Sequence, residues 1–377
     1  MQIEKFKDLT VKAFKEIKQY QTGEKGIVRT GLPYFDDLFP VVNGSVIVFS
    51  AGSGIGKSYK LAQMVDNILN TELNPTANNF AVLNISLEMR VMSLVLRGMS
   101  KQIKSKSKKE ILLQEFTEEE KEQANKYFLS LQDDRVSISQ VPTSPKRFYD
   151  GCKQFLEDNK DKDSVIITVD HLALISGDKG EPRNTIIENF IERINDLKME
   201  YENVIFILLS QTNSEMQKRA QDKNIMSQPT ASDLYYSQFT FQVADYVAIM
   251  INPTKYGIQE YSKVNPERYP NLEKYFLEPD KNGRVSLECY GVNYVHLLKC
   301  REAEGLYLDI YAEELNIPDA EKIREQKKKQ AISTPSFSAP IFDSTPTVES
   351  IVKPIAFENL GSIFENNSNN DEDDSPF

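Results

Sequence analysis

The sequence predicts an α/β protein whose mostly parallel sheet carries helices on both faces. Three observations lead there. Short apolar runs rich in β-branched residues alternate with segments whose apolar residues recur at three- and four-residue steps, the pattern of strands joined by covering helices. One run, Val46 to Phe49, passes through a glycine-rich turn directly into a helical segment. No internal repeat interrupts the alternation.

At the amino terminus, Phe6, Leu9, Ala13, Ile17 and Tyr20 define one apolar stripe along a helix. Gly23, Gly26 and Thr30-Gly31-Leu32-Pro33 end that helix and open a new unit. After the strand at Val46, further strand-like runs stand at Phe80 to Ser86, Val136 to Ser139, Val165 to Val169, Val204 to Leu209 and Tyr246 to Ile251. Amphipathic helices lie between them. One opens at Thr117 with Glu120 three residues on, a capping box in which each side chain satisfies the other's backbone donor. Another carries Ile187, Phe190, Ile191, Ile194 and Leu197 on one face. A last strand, Val295 to Leu298, leads into Lys299-Cys300-Arg301.

An apolar content of 40% in 377 residues is enough for a sizeable core. Cys152, Cys289 and Cys300 have no metal or redox spacing, and neither histidine has a partner at ligand spacing, so the expected setting is a reducing cytoplasm. No apolar stretch reaches spanning length and the amino terminus has no signal-type core, so no membrane role is expected. The net charge of −11 is uneven. From Ala331 onward eight acids (Asp343, Glu349, Glu358, Glu365, Asp371, Glu372, Asp373, Asp374) face Lys353 alone, so the tail carries −7 and the first 330 residues only −4. A tail rich in Ser, Pro, Asn and acids cannot bury enough apolar surface to offset its ordering entropy, and is expected to be disordered.

Ala51-Gly52-Ser53-Gly54-Ile55-Gly56-Lys57-Ser58 has the form of a phosphate-binding loop, with Ala51 where the pattern G-x-x-x-x-G-K-[ST] has its first glycine. A glycine-rich turn lets consecutive backbone N–H groups face one oxyanion at the positive end of the following helix. Lys57 is placed for the β- and γ-phosphates and Ser58 for Mg²⁺. In parallel sheets the ligand lies beyond the carboxyl ends of the strands. Three such ends carry polar groups: Asp170, a carboxylate for Mg²⁺; Glu88 after Ser86-Leu87, a base for the attacking water; and Gln211 after Ser210, an amide to sense the γ-phosphate. Lys299 and Arg301 read either as a solvated strand end or as cations that complete a neighbour's site in a ring.

The ordered series Thr30-Gly31-Leu32-Pro33, Ala51 to Ser58, Ser86-Leu87-Glu88-Met89, Asp170-His171-Leu172, Leu209-Ser210-Gln211, Ser232-Asp233-Leu234, Gln242 with Ala244-Asp245, and Lys299-x-Arg301 resembles the DnaB-type replicative helicases. The resemblance runs from about residue 5 to about 312. It implies a RecA-like P-loop motor, a homo-hexameric ring that moves 5′ to 3′ along single-stranded DNA on hydrolysing ATP with Mg²⁺ and unwinds duplex at the replication fork. On it, Lys57 and Ser58 bind phosphate and metal, Glu88 is the base, Asp170 supports the metal, Gln211 couples nucleotide state to DNA loops, and Lys299 and Arg301 act in trans. Residues 1–29 resemble the linker helix that docks on a neighbour; packing on the chain's own core is the alternative. Residues 30–318 correspond to the motor, and 319–377 to a basic helix end and the acidic tail.

The same resemblance marks departures. The family's amino-terminal collar, which engages primase, has no counterpart in the 30 residues before Gly31. Residues 253–290 read as an inserted surface loop. DNA contacts are expected from Asn213 to Asn224, with Lys218, Arg219 and Lys223 suited to a phosphate backbone, although the stretch reads equally as a solvated loop. Tyr235 and Tyr236, with Gln238 nearby, stand where the family has an arginine, and suit stacking on bases. Lys101, Lys104, Lys106, Lys108 and Lys109 read as a solvated helix end. The terminal Asp373, Asp374, Pro376 and Phe377 resemble the acidic tip of bacterial single-stranded DNA-binding proteins, which implies a docking peptide for a primase, helicase loader or other replisome protein; a solubilising tail is the alternative. A RecA-like recombinase or regulatory DNA-binding ATPase shares the phosphate loop and Asp170, whereas Glu88 and Lys299-x-Arg301 favour the helicase.

Overall fold

The computed structural model describes residues 5–315 and Arg324, apart from 26, 39, 214–215, 217, 219–224, 227, 236, 259 and 304–308. All of these lie in one unit, residues 1–329. Arg219, Lys223, Tyr236 and the acidic tip fall outside the described residues, as does the Gln238 side chain.

The helices are α1 (Phe6–Thr22), α2 (Pro33–Asp36), α3 (Lys57–Leu69), α4 (Val91–Gln102), α5 (Lys108–Leu113), α6 (Glu118–Ser130), α7 (Pro145–Asp158), α8 (Arg183–Glu200) and α9 (Ser237–Val243). The strands are β1 (Val46–Ala51), β2 (Phe80–Ser86), β3 (Val136–Ser139), β4 (Ser164–Asp170), β5 (Val204–Gln211), β6 (Ile225–Met226), β7 (Tyr246–Ile251), β8 (Glu260–Val264), β9 (Phe276–Pro279), β10 (Val285–Glu288), β11 (Val292–Cys300) and β12 (Ile310–Glu314).

Eight strands form the main sheet in the order β12-β11-β7-β1-β5-β4-β2-β3. From β7 to β3 every pairing is parallel, and β11 and β12 add an antiparallel edge. The central strands are buried on both faces, which is why their sequences read as unbroken apolar runs. On one face Phe148 of α7 and Phe190 of α8 pack against Phe206. On the other, Met64 and Ile68 of α3 join Tyr34, Phe35 and Phe49. The Thr30-Gly31 turn is tied into this layer: Asp36 accepts the N–H groups of Thr30 and Gly31 at 2.9 and 2.7 Å, and Asn67 of α3 donates to Thr30 O at 2.8 Å. Thr117 and Glu120 form the expected capping box at the start of α6.

Two readings of the sequence are corrected. Residues 253–290 are not a surface loop. They contribute β8, β9 and β10 to a second sheet, ordered β6-β8-β10-β9, in which Tyr261, Val264, Val285 and Leu287 are buried, and a 3-10 turn, Pro270–Tyr275, that buries Leu272. The apolar residues are spread among Pro, Gly and charges, so no long strand-like run announces them. Nor is α1 covered by its own core: only its carboxyl end, at Tyr20, rests on the chain beside Asn43, none of its residues is buried, and Phe6 and Phe14 are 80% and 74% exposed. No described helix is long and apolar enough to cross a membrane.

Candidate functional site

β1 lies between β5 and β7, the point where chain connections leave the sheet in opposite directions, and its carboxyl end opens into a cleft of about 550 Å³. Residues 52–56 turn from β1 into α3. Gly56 caps α3 with φ +115°, a conformation a side chain would strain, and this turns the free N–H groups of the first helical turn towards the cleft. A Cβ on Gly52 would sit 2.4 Å from the Tyr256 hydroxyl, so a side chain there would have to push that ring aside. Ala51 makes no such demand: it is the buried last residue of β1, and Ser262 is the only non-glycine described with positive φ.

Lys57 is buried, and its Nζ donates to the carbonyls of Ala51 at 2.9 Å and Gly52 at 3.2 Å, which holds the ammonium at the cleft floor. Burial pulls it below the ordinary lysine range, while Glu88 and Asp170 oppose that shift. Asp170 is buried at the end of β4, and burial raises its carboxyl above the usual range against a hydrogen bond from Ser58. Its Oδ1 is fully buried and has no hydrogen-bond partner. An ionisable oxygen held there beside the Ser58 hydroxyl fits a hard cation, since Mg²⁺ takes oxygen ligands and few protein groups. No larger cluster of His, Cys, Asp and Glu suited to a metal occurs among the described residues.

Glu88 follows β2 and lines the same cleft, its side chain 51% exposed, as a group that works on water requires. Gln211, the last residue of β5, lines it too. Burial pulls His171 below the ordinary histidine range, while Glu88 and Asp170 oppose that shift. The structure thus gathers the phosphate loop, Glu88, Asp170 and Gln211 at adjacent strand ends.

Lys299 and Arg301 lie elsewhere. β11 runs antiparallel to β7, with Cys300 opposite Tyr246, so its end reaches the amino edge of the sheet. There Lys299 Nζ donates to the carbonyls of Phe241 at 2.7 Å and Gln242 at 3.0 Å, and Arg301 donates to Gln242 O at 2.8 Å and pairs with Asp245 at 3.1 Å. These carbonyls end α9, and cations there suit the negative end of the helix dipole. Lys299 is half-buried, whereas Arg301, 44% exposed, binds these carbonyls while keeping the solvated character of a strand end. The length of β1, about 17 Å at the usual rise, separates this edge from the cleft, so neither cation reaches its own phosphate loop.

A model of the DnaB-like helicase C-terminal domain family matches residues 27–287. The chain belongs to that family. Two solved structures share its fold. A structure described as a DnaB-like replicative helicase and its interactions with primase is 17% identical with a TM-score of 0.57, covering 85% of this chain and 66% of that one. The ATPase domain of G40P is 17% identical with a TM-score of 0.59, covering 84% of this chain and 100% of that one. The chain thus spans just under two thirds of the first of these and all of the second. The DnaB-like architecture is that of a RecA-like P-loop core. No curated protein matches the sequence significantly.

Within this DnaB-like cleft, several lining residues escape sequence reasoning. Arg97, Ser100 and Lys101 of α4, and Lys108 of α5, form the wall facing the phosphate loop. Lys101 and Lys108 are exposed, as a solvated helix end is, and the solvent they face is that of the cleft. Lys101 Nζ stands 3.4 Å over the Tyr59 ring of α3, and burial, then Arg97, lowers its affinity for a proton. The i, i+4 spacing of Arg97 and Lys101, just after Glu88, was the available signal. Lys106 instead pairs with Glu120 at 3.6 Å. Lys255, in the 3-10 turn Pro253–Tyr256, donates to the Ser53 carbonyl of the phosphate loop. Of the expected DNA contacts, Lys218 and Tyr235 are described and exposed, and neither lines the cleft.

Proposed function

We propose that this chain is the ATP-hydrolysing motor of a replicative DNA helicase that works as a ring of six, moves 5′ to 3′ on single-stranded DNA and unwinds duplex at the fork. The observation that carries the reading is the separation of Lys299 and Arg301 from their own cleft by the length of the sheet. A subunit placed head to tail brings that edge to the next phosphate loop, and such contacts close into a ring. The uncovered apolar stripe of α1 supports the same assembly. The direction of movement and the number of subunits rest on family membership.

In this reading ATP lies along the loop, with its phosphates on the N–H groups of α3 and on Lys57. Ser58 and Asp170 hold Mg²⁺, which neutralises phosphate charge. Glu88 orients a water and accepts its proton, a contribution of about 10²- to 10⁴-fold for general bases. Arg301 and Lys299 of the adjoining subunit stabilise charge on the transferring phosphoryl group, worth about 10³- to 10⁵-fold for arginine fingers. Lys218, Arg219 and Lys223 hold the DNA backbone, and Tyr235 and Tyr236 stack on bases.

The test is unwinding of forked DNA of both polarities by wild type, Glu88→Gln and Arg301→Ala. Both variants should lose ATPase and unwinding, and mixing them should restore some turnover at composite sites. Full unwinding by Arg301→Ala would refute the trans role, and ATP hydrolysis by wild type without strand separation would leave a switch-type ATPase as the correct reading.

A further inference from the structure

His171 follows Asp170 at the end of β4, with a side chain only 6% exposed. Its Nε2 stands 3.1 Å from Gln211 Nε2 and 3.8 Å from Glu88 Oε2, so one ring nitrogen faces both side chains. The other nitrogen, Nδ1, accepts the Ala173 backbone N–H at 3.3 Å. Arg183, the first residue of α8, donates to the carbonyls of Leu172, Ala173 and Ile175, and so fixes the turn that carries the ring.

These contacts determine more than the ring's place. An N–H aimed at Nδ1 leaves one tautomer for the neutral imidazole, with its proton on Nε2. A donor at Nε2 meets an acceptor on Gln211 only when the amide, whose nitrogen faces the ring as placed, is turned end for end to bring its oxygen there. The amide NH₂ then faces the cleft, where a γ-phosphate oxygen needs a donor. The opposite amide orientation would present an oxygen to the phosphate and repel it. Gln211 is also joined to the segment expected to face DNA. Its carbonyl accepts the Tyr235 N–H at 2.7 Å, and the next residue, Thr212, bridges to Leu234.

We infer that His171 is a positioning residue: it fixes the Gln211 amide with its donor side towards the γ-phosphate and keeps Glu88 alongside, so that base, phosphate sensor and DNA-facing segment move together. This inference rests on the cleft being the ATPase site proposed above. His171 acts through Gln211 and Glu88 and makes no bond to the reacting atoms.

The test uses the full chain with single-stranded DNA, and measures DNA-stimulated ATPase together with binding of ATPγS and ADP. His171→Phe keeps a ring and removes both nitrogens; His171→Gln returns a donor near the Nε2 position; Gln211→Ala and the double variant close a cycle. We expect His171→Phe to lose about five- to tenfold in DNA-stimulated kcat, the worth of one well-placed hydrogen bond, with KM for ATP within about twofold. It should also lose its preference for ATPγS over ADP, His171→Gln should recover most of the loss, and the double variant should be no worse than Gln211→Ala. Where His171→Phe does not fold, His171→Asn, whose amide reaches only the Nδ1 position, carries the same expectations. Full DNA stimulation in a folded variant, additive losses in the double variant, or no recovery with glutamine overturns the inference. A wild-type chain without ATPase would instead overturn the motor reading, whereas a stimulated wild type beside an unimpaired His171→Phe overturns only the role of His171.

Discussion

Replacing Phe6 and Phe14 of α1 with serine is the sharpest probe of assembly, because the two rings do nothing for the chain's own fold. They are 80% and 74% exposed, and α1 buries no residue. Seated on a neighbour, each ring would contribute about 2 kcal/mol, and the pair about 4 kcal/mol, after allowing for the fraction already covered. That difference corresponds to about three powers of ten in the dissociation constant of each subunit contact. Mass photometry at micromolar protein, with ATP and a short single-stranded oligonucleotide, should show rings in wild type and smaller species in the variant. The melting midpoint of the separated chain should not change. A variant with the wild-type mass distribution refutes docking of these two rings on a neighbour, and a lowered midpoint would show that they pack within their own chain after all.

Three further outcomes are expected. Lys101→Ala and Arg97→Ala should each weaken ATP binding about fivefold, as loss of a partly exposed charged contact to phosphate does, measured with a fluorescent ATP analogue; unchanged affinity would leave the α4 wall a bystander. His296, on β11 of the main sheet, is buried with its Nε2 2.6 Å from the hydroxyl of Tyr261 on β8, and burial pulls its pKa to about 3. Its folded pKa is below the unfolded value, so its stabilising contribution is present above about pH 6.5 and is lost as pH falls towards 3. His296→Phe should therefore cost about 1 to 3 kcal/mol at pH 8, by leaving the tyrosine hydroxyl unpaired, with a gap to wild type that narrows towards pH 4 in urea melts. A gap that stays constant over that range would show that His296 does not titrate in this window. Deleting Phe377 should weaken binding to a replisome partner such as a primase in surface-plasmon assays, and equal binding would reduce the tip to a solubilising tail.

Much of the fold was legible because its signals are local. β7 runs over the residues its apolar pattern marks, Tyr246–Ile251, and β2 over Phe80–Ser86, because strands buried on both faces need unbroken apolar runs. The turn at Gly54 and Gly56 was legible because only glycine tolerates that backbone. Lys101 was not, since a lysine on an exposed helix face reads the same whether it meets water or a cleft wall. The second sheet was missed because its short strands pair with β6 and with each other, and pairing leaves little trace in a single strand's composition. His171 was read only as part of a motif, because its partners Glu88 and Gln211 arrive from other strands.

The sequence by itself determined the alternation of strands and helices, the phosphate loop and the polar groups at strand ends, because periodicity, glycine conformation and charge act within a few residues. Only the tertiary structure decided which charges share a space. It set Arg97 and Lys101 against the phosphate loop, brought one histidine nitrogen to both Glu88 and Gln211, and carried Arg301 to the far edge of the sheet. The physical reason is strand order and direction: β11 runs against β7, so a residue late in the chain emerges opposite the cleft, and nothing in its own neighbourhood records that reversal.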